Sequence, residues 1–261
     1  MASNWLSYNE LAWTEDLLGA PDGYEAEVGL YVELIQQAAT QPPCTLLHLG
    51  CGAGGMDGVF KRHFSVTGVD LSAGMLALAR QTHPELEYIE ADMRSLQLGR
   101  RFDAVAIPDS IDYMANRDAL RQALRSAAAH LKPGGVLLVV AKPREEFQNN
   151  NFAYTGERGD THLTVLENNY INPYRPETYE ATLTYLIRQR GELTIHHEQQ
   201  ILGLFGMQTW QQLFEACGFV MRSQRLDGIY DPYLMGEDGA YPMTVFVGNC
   251  YHAQQPDKQQ G

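Results

Sequence analysis

Between residues 45 and 141 short apolar runs alternate with segments whose apolar positions recur every three or four residues. Thr45–Leu49 (TLLHL) is an apolar run that ends in a glycine cluster. Residues 56–64 have helical spacing, and residues 65–69 (SVTGV) read as a strand ending at Asp70. Residues 72–81 open with a serine cap and carry Met75, Leu76, Leu78 and Ala79, which predicts a helix. Residues 87–90 and 104–107 read as two more short strands. Residues 116–131 predict a long amphipathic helix, with Leu120, Leu124, Ala128 and Leu131 on one stripe. Lys132-Pro133-Gly134-Gly135 breaks it, and residues 136–141 follow as a continuous apolar strand. Alternation of this kind predicts a parallel sheet covered on both faces.

The period changes after Lys142. Residues 147–151 are polar and loop-like. Residues 161–166, 179–188 and 193–199 alternate with period two, the pattern of half-buried antiparallel strands. Tyr179, Ala181, Leu183, Tyr185 and Ile187 share one face, and Thr182, Thr184 and Arg188 the other. Gly191-Glu192 sits where a hairpin would turn. The α/β pattern resumes with a helix over 208–216 and strands over 219–226 and 243–247. The expected organisation is an N-terminal helical cover (1–44), a core (45–142 and 203–250), an inserted antiparallel cap (143–202) and a disordered tail (251–261).

Composition narrows the partners. The 261 residues are 44% apolar, enough for a sizeable core without a disulfide or metal staple. Nineteen Lys and Arg against 32 Asp and Glu give a net charge of -13, which repels phosphate backbones. Nucleic acid and anionic membrane are therefore not expected partners. Cys44, Cys51, Cys217 and Cys250 have no C-x-x-C spacing, and reduced thiols fit a cytoplasmic protein. Residues 1–13 lack the basic start and apolar core of a signal peptide, and no apolar run approaches the roughly 20 residues of a membrane span. No H-x-x-x-H spacing suggests a metal.

The candidate chemistry begins at His48-Leu49-Gly50-Cys51-Gly52-Ala53-Gly54-Gly55, between a strand and a helix. Glycines there let the chain turn sharply and let a ligand approach the backbone. Asp70 follows at the end of the second strand, where a carboxylate suits the two hydroxyls of a ribose. Dinucleotides and S-adenosylmethionine both fit this pattern. The third strand ends in Glu90-Ala91-Asp92-Met93-Arg94, where Asp92 could accept from an adenine amino group or serve as a turn residue. Cys51 reads as a small packed residue rather than a nucleophile, since no basic partner is evident.

Five segments together carry a resemblance: LHLGCGAGG (47–55), VTGVDLSAGMLALAR (66–80), EADMRSL (90–96), RRFDAV (100–105) and HLKPGGVLLV (130–139). In this order and spacing they resemble class I S-adenosylmethionine-dependent methyltransferases. DSIDYM (109–114) and HHEQQILGLFGMQTWQQLFEACGF (196–219) are most similar to amino-sugar N,N-dimethyltransferases of macrolide biosynthesis. The resemblance implies an α/β fold: a Rossmann-like, seven-stranded, mostly parallel sheet with helices on both faces and an inserted antiparallel β cap. It implies S-adenosylmethionine as cofactor, with Leu49, Gly50, Cys51, Gly52 and Gly54 near its methionine portion. Asp70 would take the ribose, Leu71 and Met75 would lie beside the adenine, and Asp92 with Met93 would meet its edge. Pro108 and Asp109 would lie near the sulfonium. Two positions depart from the family: His48 stands where Asp or Glu is usual, and Tyr113 where the sugar enzymes tend to carry His.

The implied reaction is in-line methyl transfer to the nitrogen or oxygen of a small-molecule acceptor, with an amine ahead. Orientation supplies much of its rate, and a hydroxyl acceptor would want a base. Tyr113, Asp112, Tyr8 and His197 are the candidate catalytic residues. Asp109, Tyr24, Tyr31, Tyr170 and His196 are further acceptor-pocket candidates, with Tyr31 and Tyr185 expected to be packing residues. Because successive strand residues face opposite ways, only one of His196 and His197 can point into a pocket. An NAD-dependent oxidoreductase and a non-catalytic S-adenosylmethionine-binding protein are the competing readings. An exposed edge of the cap could pair two copies into a homodimer.

Overall fold

The computed structural model describes residues 5–18, 23–236 and 240–250. The expected tail, 251–261, lies outside them. The strands are β1 (Thr45–Leu49), β2 (Ser65–Asp70), β3 (Glu87–Glu90), β4 (Phe102–Pro108), β5 (Leu131–Ala141), β6 (Asn150–Arg158), β7 (Thr161–Tyr170), β8 (Thr178–Gln189), β9 (Glu192–Gly203), β10 (Phe219–Leu226) and β11 (Met243–Cys250). The helices are α1 (Glu15–Leu18), α2 (Gly23–Ala38), α3 (Asp57–Phe60), α4 (Ala73–Thr82), α5 (Arg117–Ala129) and α6 (Met207–Ala216).

One sheet has the order β10-β11-β5-β4-β1-β2-β3, with only β11 antiparallel to its neighbours. The chain runs outward from β1 to β3 on one side and from β4 to β5 on the other. The crevice outside the carboxyl ends of β1 and β4 is thus the topological switch point, where open α/β sheets bind ligands. Alternate strand residues feed two cores. Leu46, Ala104, Leu138 and Val140 pack with α2, α3 and the cap. Leu47, Val105, Leu137 and Val139 pack with α5 and α6. The sheet is therefore covered on both faces, as the unbroken apolar runs predict.

The second sheet has the order β6-β7-β8-β9, all antiparallel. Tyr179, Ala181, Tyr185 and Ile187 of β8 are buried, in line with the alternation. Strand β6 was not evident in the sequence, where its polar start hides the inward Phe152 and Tyr154. The β8–β9 hairpin turns one residue earlier than expected, at Arg190-Gly191. Both have positive φ (52° and 85°), which a two-residue hairpin needs. The cap approaches α1 closely, since a Cβ on Gly156 would meet the Leu17 carbonyl oxygen at 2.1 Å.

Two helices are shorter than their periodicity suggests. Helix α3 spans only four residues before turns carry the chain to β2. Helix α5 is capped by Asn116, whose Oδ1 accepts from the Ala119 N–H at 2.9 Å, and stops at Ala129. Leu131 fits the helical stripe, but it pairs with Phe102 and opens β5 instead. No helix among the described residues is long and apolar enough to cross a membrane.

Asp103 of the RRFDAV segment is a structural clip. Its carboxylate accepts from the Thr45 N–H (2.9 Å), the Thr45 hydroxyl (2.7 Å) and Lys132 (2.9 Å), tying the start of β1 to β4 and β5. Partial burial raises its pKa, but these donors prevail and hold it down, from 3.8 to about 2. The folded pKa is depressed, so its stabilisation is full above the unfolded pKa and is lost as pH falls through about 2. We expect Asp103→Asn to cost about 2 kcal/mol at neutral pH. Urea unfolding across the acid range should show the deficit closing as pH falls.

Candidate active site

At the carboxyl end of β1 the chain makes a turn that side chains would prevent. Gly50, Gly52 and Gly54 have φ of 71°, 53° and 80°. A Cβ on Gly50 would lie 2.2 Å from the Ser110 hydroxyl, which itself donates to the Leu49 carbonyl at 3.0 Å. A Cβ on Gly52 would meet no protein atom within 4 Å, because Gly52 borders open cavity. That cavity is about 990 Å³, at the large end of the roughly 300–1,000 Å³ of ligand sites.

Asp70 lines the cavity and is oriented by two backbone donors, the Gly52 N–H and the Ser72 N–H, each at 2.8 Å. Leu71, Met75, Met93 and Pro108 also line it. Asp92 lines it too, but as a turn residue as well: its carboxylate accepts from the Arg94 N–H at 2.9 Å and is gripped by the Arg94 guanidinium. That guanidinium holds the Asp92 carboxyl below its ordinary pKa. Cys51 lines the cavity with its thiol buried. Burial, reinforced by Asp57 and Asp70, pushes its pKa far up, so it is no nucleophile. Two expected residues are not in the lining. Leu49 is fully buried in the core, because its strand position faces α5 and α6. Gly54 faces protein, with a Cβ placed 2.8 Å from the Tyr88 hydroxyl.

His48 is 2% exposed and borders the cavity. Its Nδ1 lies 2.7 Å from Oδ1 of Asp57, which is 0% exposed, and Tyr88 donates to the other Asp57 oxygen at 3.0 Å. The acid usual at position 48 has thus been moved one side chain back, onto α3. Asp57 gave no signal in the sequence, since nothing there indicates that α3 folds onto β1.

The other half of the cavity lies beneath the N-terminal segment and the cap. Tyr8 and Tyr113 meet hydroxyl to hydroxyl, their rings T-shaped at 5.7 Å, and Trp5 packs 4.8 Å from Tyr113. Tyr113 also reaches Gln200 of β9, at 3.4 Å. Burial pushes the Tyr8, Tyr24, Tyr113 and Tyr230 hydroxyls above their ordinary pKa, Tyr24 to about 12, so all four stay neutral. Glu15 and Asp109 add carboxylates to this half. Asp109 sits at φ 57° on the turn after β4 and pairs with Lys142 at the end of β5.

Several expectations are corrected. Asp112 does not reach the cavity. It is 4% exposed, 2.8 Å from Lys142 and 3.5 Å from the Tyr179 hydroxyl. Burial raises its pKa to about 7, against the pull of Lys142. His197 is exposed on the outer face of the cap, because strand parity turns His196, Glu198 and Gln200 inward. His196 does not line the cavity either, and Tyr170 is 43% exposed on β7, away from it. Tyr31 is fully buried, its hydroxyl donating to Glu27 at 2.6 Å, and Tyr185 is buried within the cap. Trp5, Glu15 and Tyr230 were missed, since they converge from a 3-10 turn, a four-residue helix and a distant loop.

Fold and cavity define an open α/β protein whose ligand crevice lies at the switch point of its sheet. Comparison with known proteins narrows that class. Residues 46–135 match the methyltransferase domain family. A dTDP-3-amino-3,6-dideoxy-alpha-D-glucopyranose N,N-dimethyltransferase of Streptomyces fradiae is 32% identical over 223 residues, 80% of this chain and 83% of that one. DesVI of Streptomyces venezuelae superposes with a TM-score of 0.73 at 24% identity, covering 93% of this chain and 95% of that one. The S-adenosylmethionine-bound CalS10, an amino pentose methyltransferase from Micromonospora echinaspora, gives 0.72 at 22% identity, covering 93% and 96%.

The chain belongs to the class I S-adenosylmethionine-dependent methyltransferases, near the amino-sugar N,N-dimethyltransferases. It is an enzyme that uses S-adenosylmethionine to methylate a small molecule, and the oxidoreductase and non-catalytic readings are not favoured. The residues present fit that cofactor, with Gly52 opening onto the cavity and the Asp70 carboxylate fixed at its edge.

The two glycines should separate folding from binding. We expect Gly50→Ala to destabilise by about 1–3 kcal/mol through the clash with Ser110. Gly52→Leu should cost about 1–2 kcal/mol of backbone strain but weaken S-adenosylmethionine binding by more than about tenfold. Thermal melts and calorimetric titration read the two effects.

Proposed function

We propose that the protein transfers methyl groups from S-adenosylmethionine to the amine of an amino sugar. The observation that carries this reading is the chemistry of the acceptor half: neutral phenols and the carboxylates of Glu15, Asp16 and Asp109, with neither His196 nor His197 among its lining. A neutral amine attacks without a strong base, whereas a hydroxyl would need one. Carboxylates suffice to take the proton of an ammonium but are weak toward an alcohol. The Streptomyces fradiae relative, named for an amino-sugar substrate, supports the same choice.

When bound, S-adenosylmethionine supplies an electrophilic methyl on a positively charged sulfur. In our reading Gly50 and Gly52 border its methionine portion, and the His48–Asp57 pair faces the amino group there. With the Asp57 carboxylate accepting the Nδ1 proton, Nε2 of His48 keeps a lone pair for an ammonium. Asp70 holds the ribose. Leu71, Met75, Asp92 and Met93 surround the adenine, and Pro108 and Asp109 border the sulfonium. Tyr8 and Tyr113 orient the acceptor nitrogen, and Glu15 and Asp109 are placed to receive its proton. The parts are a core of 45–142 and 203–250, with 1–44 and the cap, 143–202, closing over the acceptor.

The test is transfer of labelled methyl to amino-sugar glycosides, with mass spectrometry locating the added group. Methylation of nitrogen is expected, and methylation confined to hydroxyl oxygen would overturn the assignment. Tyr113→Phe should lower kcat by about tenfold while leaving S-adenosylmethionine affinity unchanged.

We further propose a cytoplasmic enzyme that does not bind nucleic acid and pairs with a second copy through the cap. The acidic charge and the free thiols of Cys44, Cys51 and Cys217 support the first part. The exposed Leu166, Leu193 and Ile195 on the cap, two of them on its edge strand β9, support the second. Light scattering should give the mass of two chains, and Ile195→Lys should return it to one.

A further inference from the structure

The acceptor half of the cavity has a consistent electrostatic sign. Glu15, Asp16 and Asp109 line it beside Trp5, Tyr8 and Tyr24. Among the described residues the Glu15 side chain makes no hydrogen bond or ion pair, and burial, reinforced by Asp16, raises its pKa. Asp109 offers Lys142 its Oδ1 and is half exposed toward the cavity. Burial raises the pKa of the Tyr8 and Tyr24 hydroxyls first, and the charges of Glu15 and Asp109 raise it further. Carboxylates among electron-rich ring faces form an environment for a cation.

Among the described residues the lysines and arginines nearby are already engaged. Arg62 and Arg94, the two Lys or Arg residues in the lining among the described residues, pair with Glu25 and Asp92. Lys142 is buried between Asp109 and Asp112. Arg158 of β6, outside the lining, lies 4.0 Å from Asp16. A diphosphate is recognised by guanidinium forks, ammonium groups or a free helix N-terminus. Placed against Glu15, Asp16 and Asp109, its charges would be repelled at close range.

We propose that this enzyme takes its amine on an uncharged body, such as a plain glycoside, and that the acceptor arrives as a cation without a nucleoside diphosphate carrier. This rests on the N-methylation reading and departs from the Streptomyces fradiae relative, whose named substrate is a dTDP-sugar. Glu15 and Asp109 draw the ammonium in, one of them takes its proton, and the freed lone pair faces the methyl group. The nitrogen–carbon bond forms as the sulfur–carbon bond breaks, the sulfur keeps the bonding pair, and the carboxylate holds the proton.

The test uses one amine on two carriers. Methyl 3-amino-3,6-dideoxy-α-D-glucopyranoside and the dTDP ester of the same sugar are offered to the full-length enzyme with S-adenosylmethionine. In parallel, dTDP alone is titrated into the enzyme saturated with S-adenosylhomocysteine. We expect kcat/KM at least about tenfold higher for the methyl glycoside, with its KM rising with salt, and no dTDP binding up to about 1 mM. Preference for the dTDP ester, or dTDP binding below about 1 mM, overturns the proposal. If neither sugar is methylated the dTDP titration still decides, since it needs no turnover. Failure of the N-methylation reading shows separately, as transfer to hydroxyl oxygen across the glycosides.

Discussion

The approach of Ser110 to Gly50 is the contact on which the site depends. Its hydroxyl occupies the space where any other residue at position 50 would carry a Cβ, and it donates to the Leu49 carbonyl. This joins the end of β1 to the turn after β4, across the point where the strand order reverses. With the two turns locked together, Asp70 and Asp109 border one cavity. The glycine turn and the post-β4 turn are therefore one unit, and a change in either reaches the cavity they both line.

Charge is distributed with the same economy. The two acids after β4 have different fates. Asp112 is buried and holds Lys142, while Asp109, three residues earlier and strained at φ 57°, keeps one face toward the cavity. The buried ammonium is shared between Asp112, whose pKa burial raises to about 7, and Asp109, whose carboxylate is the one at the cavity. Such a charge favours a cation that must lose its proton before it can attack. At the other end, Asp57 lies behind His48, so negative charge remains close to the cavity although position 48 itself is not acidic.

Much of the frame was legible because burial on both faces leaves a simple trace in a chain. Strands β1 and β5 read as apolar runs and β2, β3 and β4 as short strands between helical segments, and the glycines after β1 announced a turn that only they can make. Asp70 followed from its place at the end of β2. The acceptor half was far less legible. Asp112 had as good a case as Tyr113 because both follow β4, and His197 stayed a candidate, since sequence shows neither which way a turn residue points nor which face of a strand meets a pocket. Strand β6 was hidden behind polar residues, and Trp5, Glu15 and Tyr230 come from short elements with no periodicity to mark them.

The sequence by itself determined the alternating fold, the glycine turn and the carboxylate at the end of β2, because period, backbone freedom and strand-end position are local properties of the chain. Tertiary structure alone decided which acids border the cavity and which are neutralised. That depends on which distant elements pack against each side chain: α3 bringing Asp57 to His48, β5 bringing Lys142 to Asp112, and β9 bringing Gln200 to Tyr113.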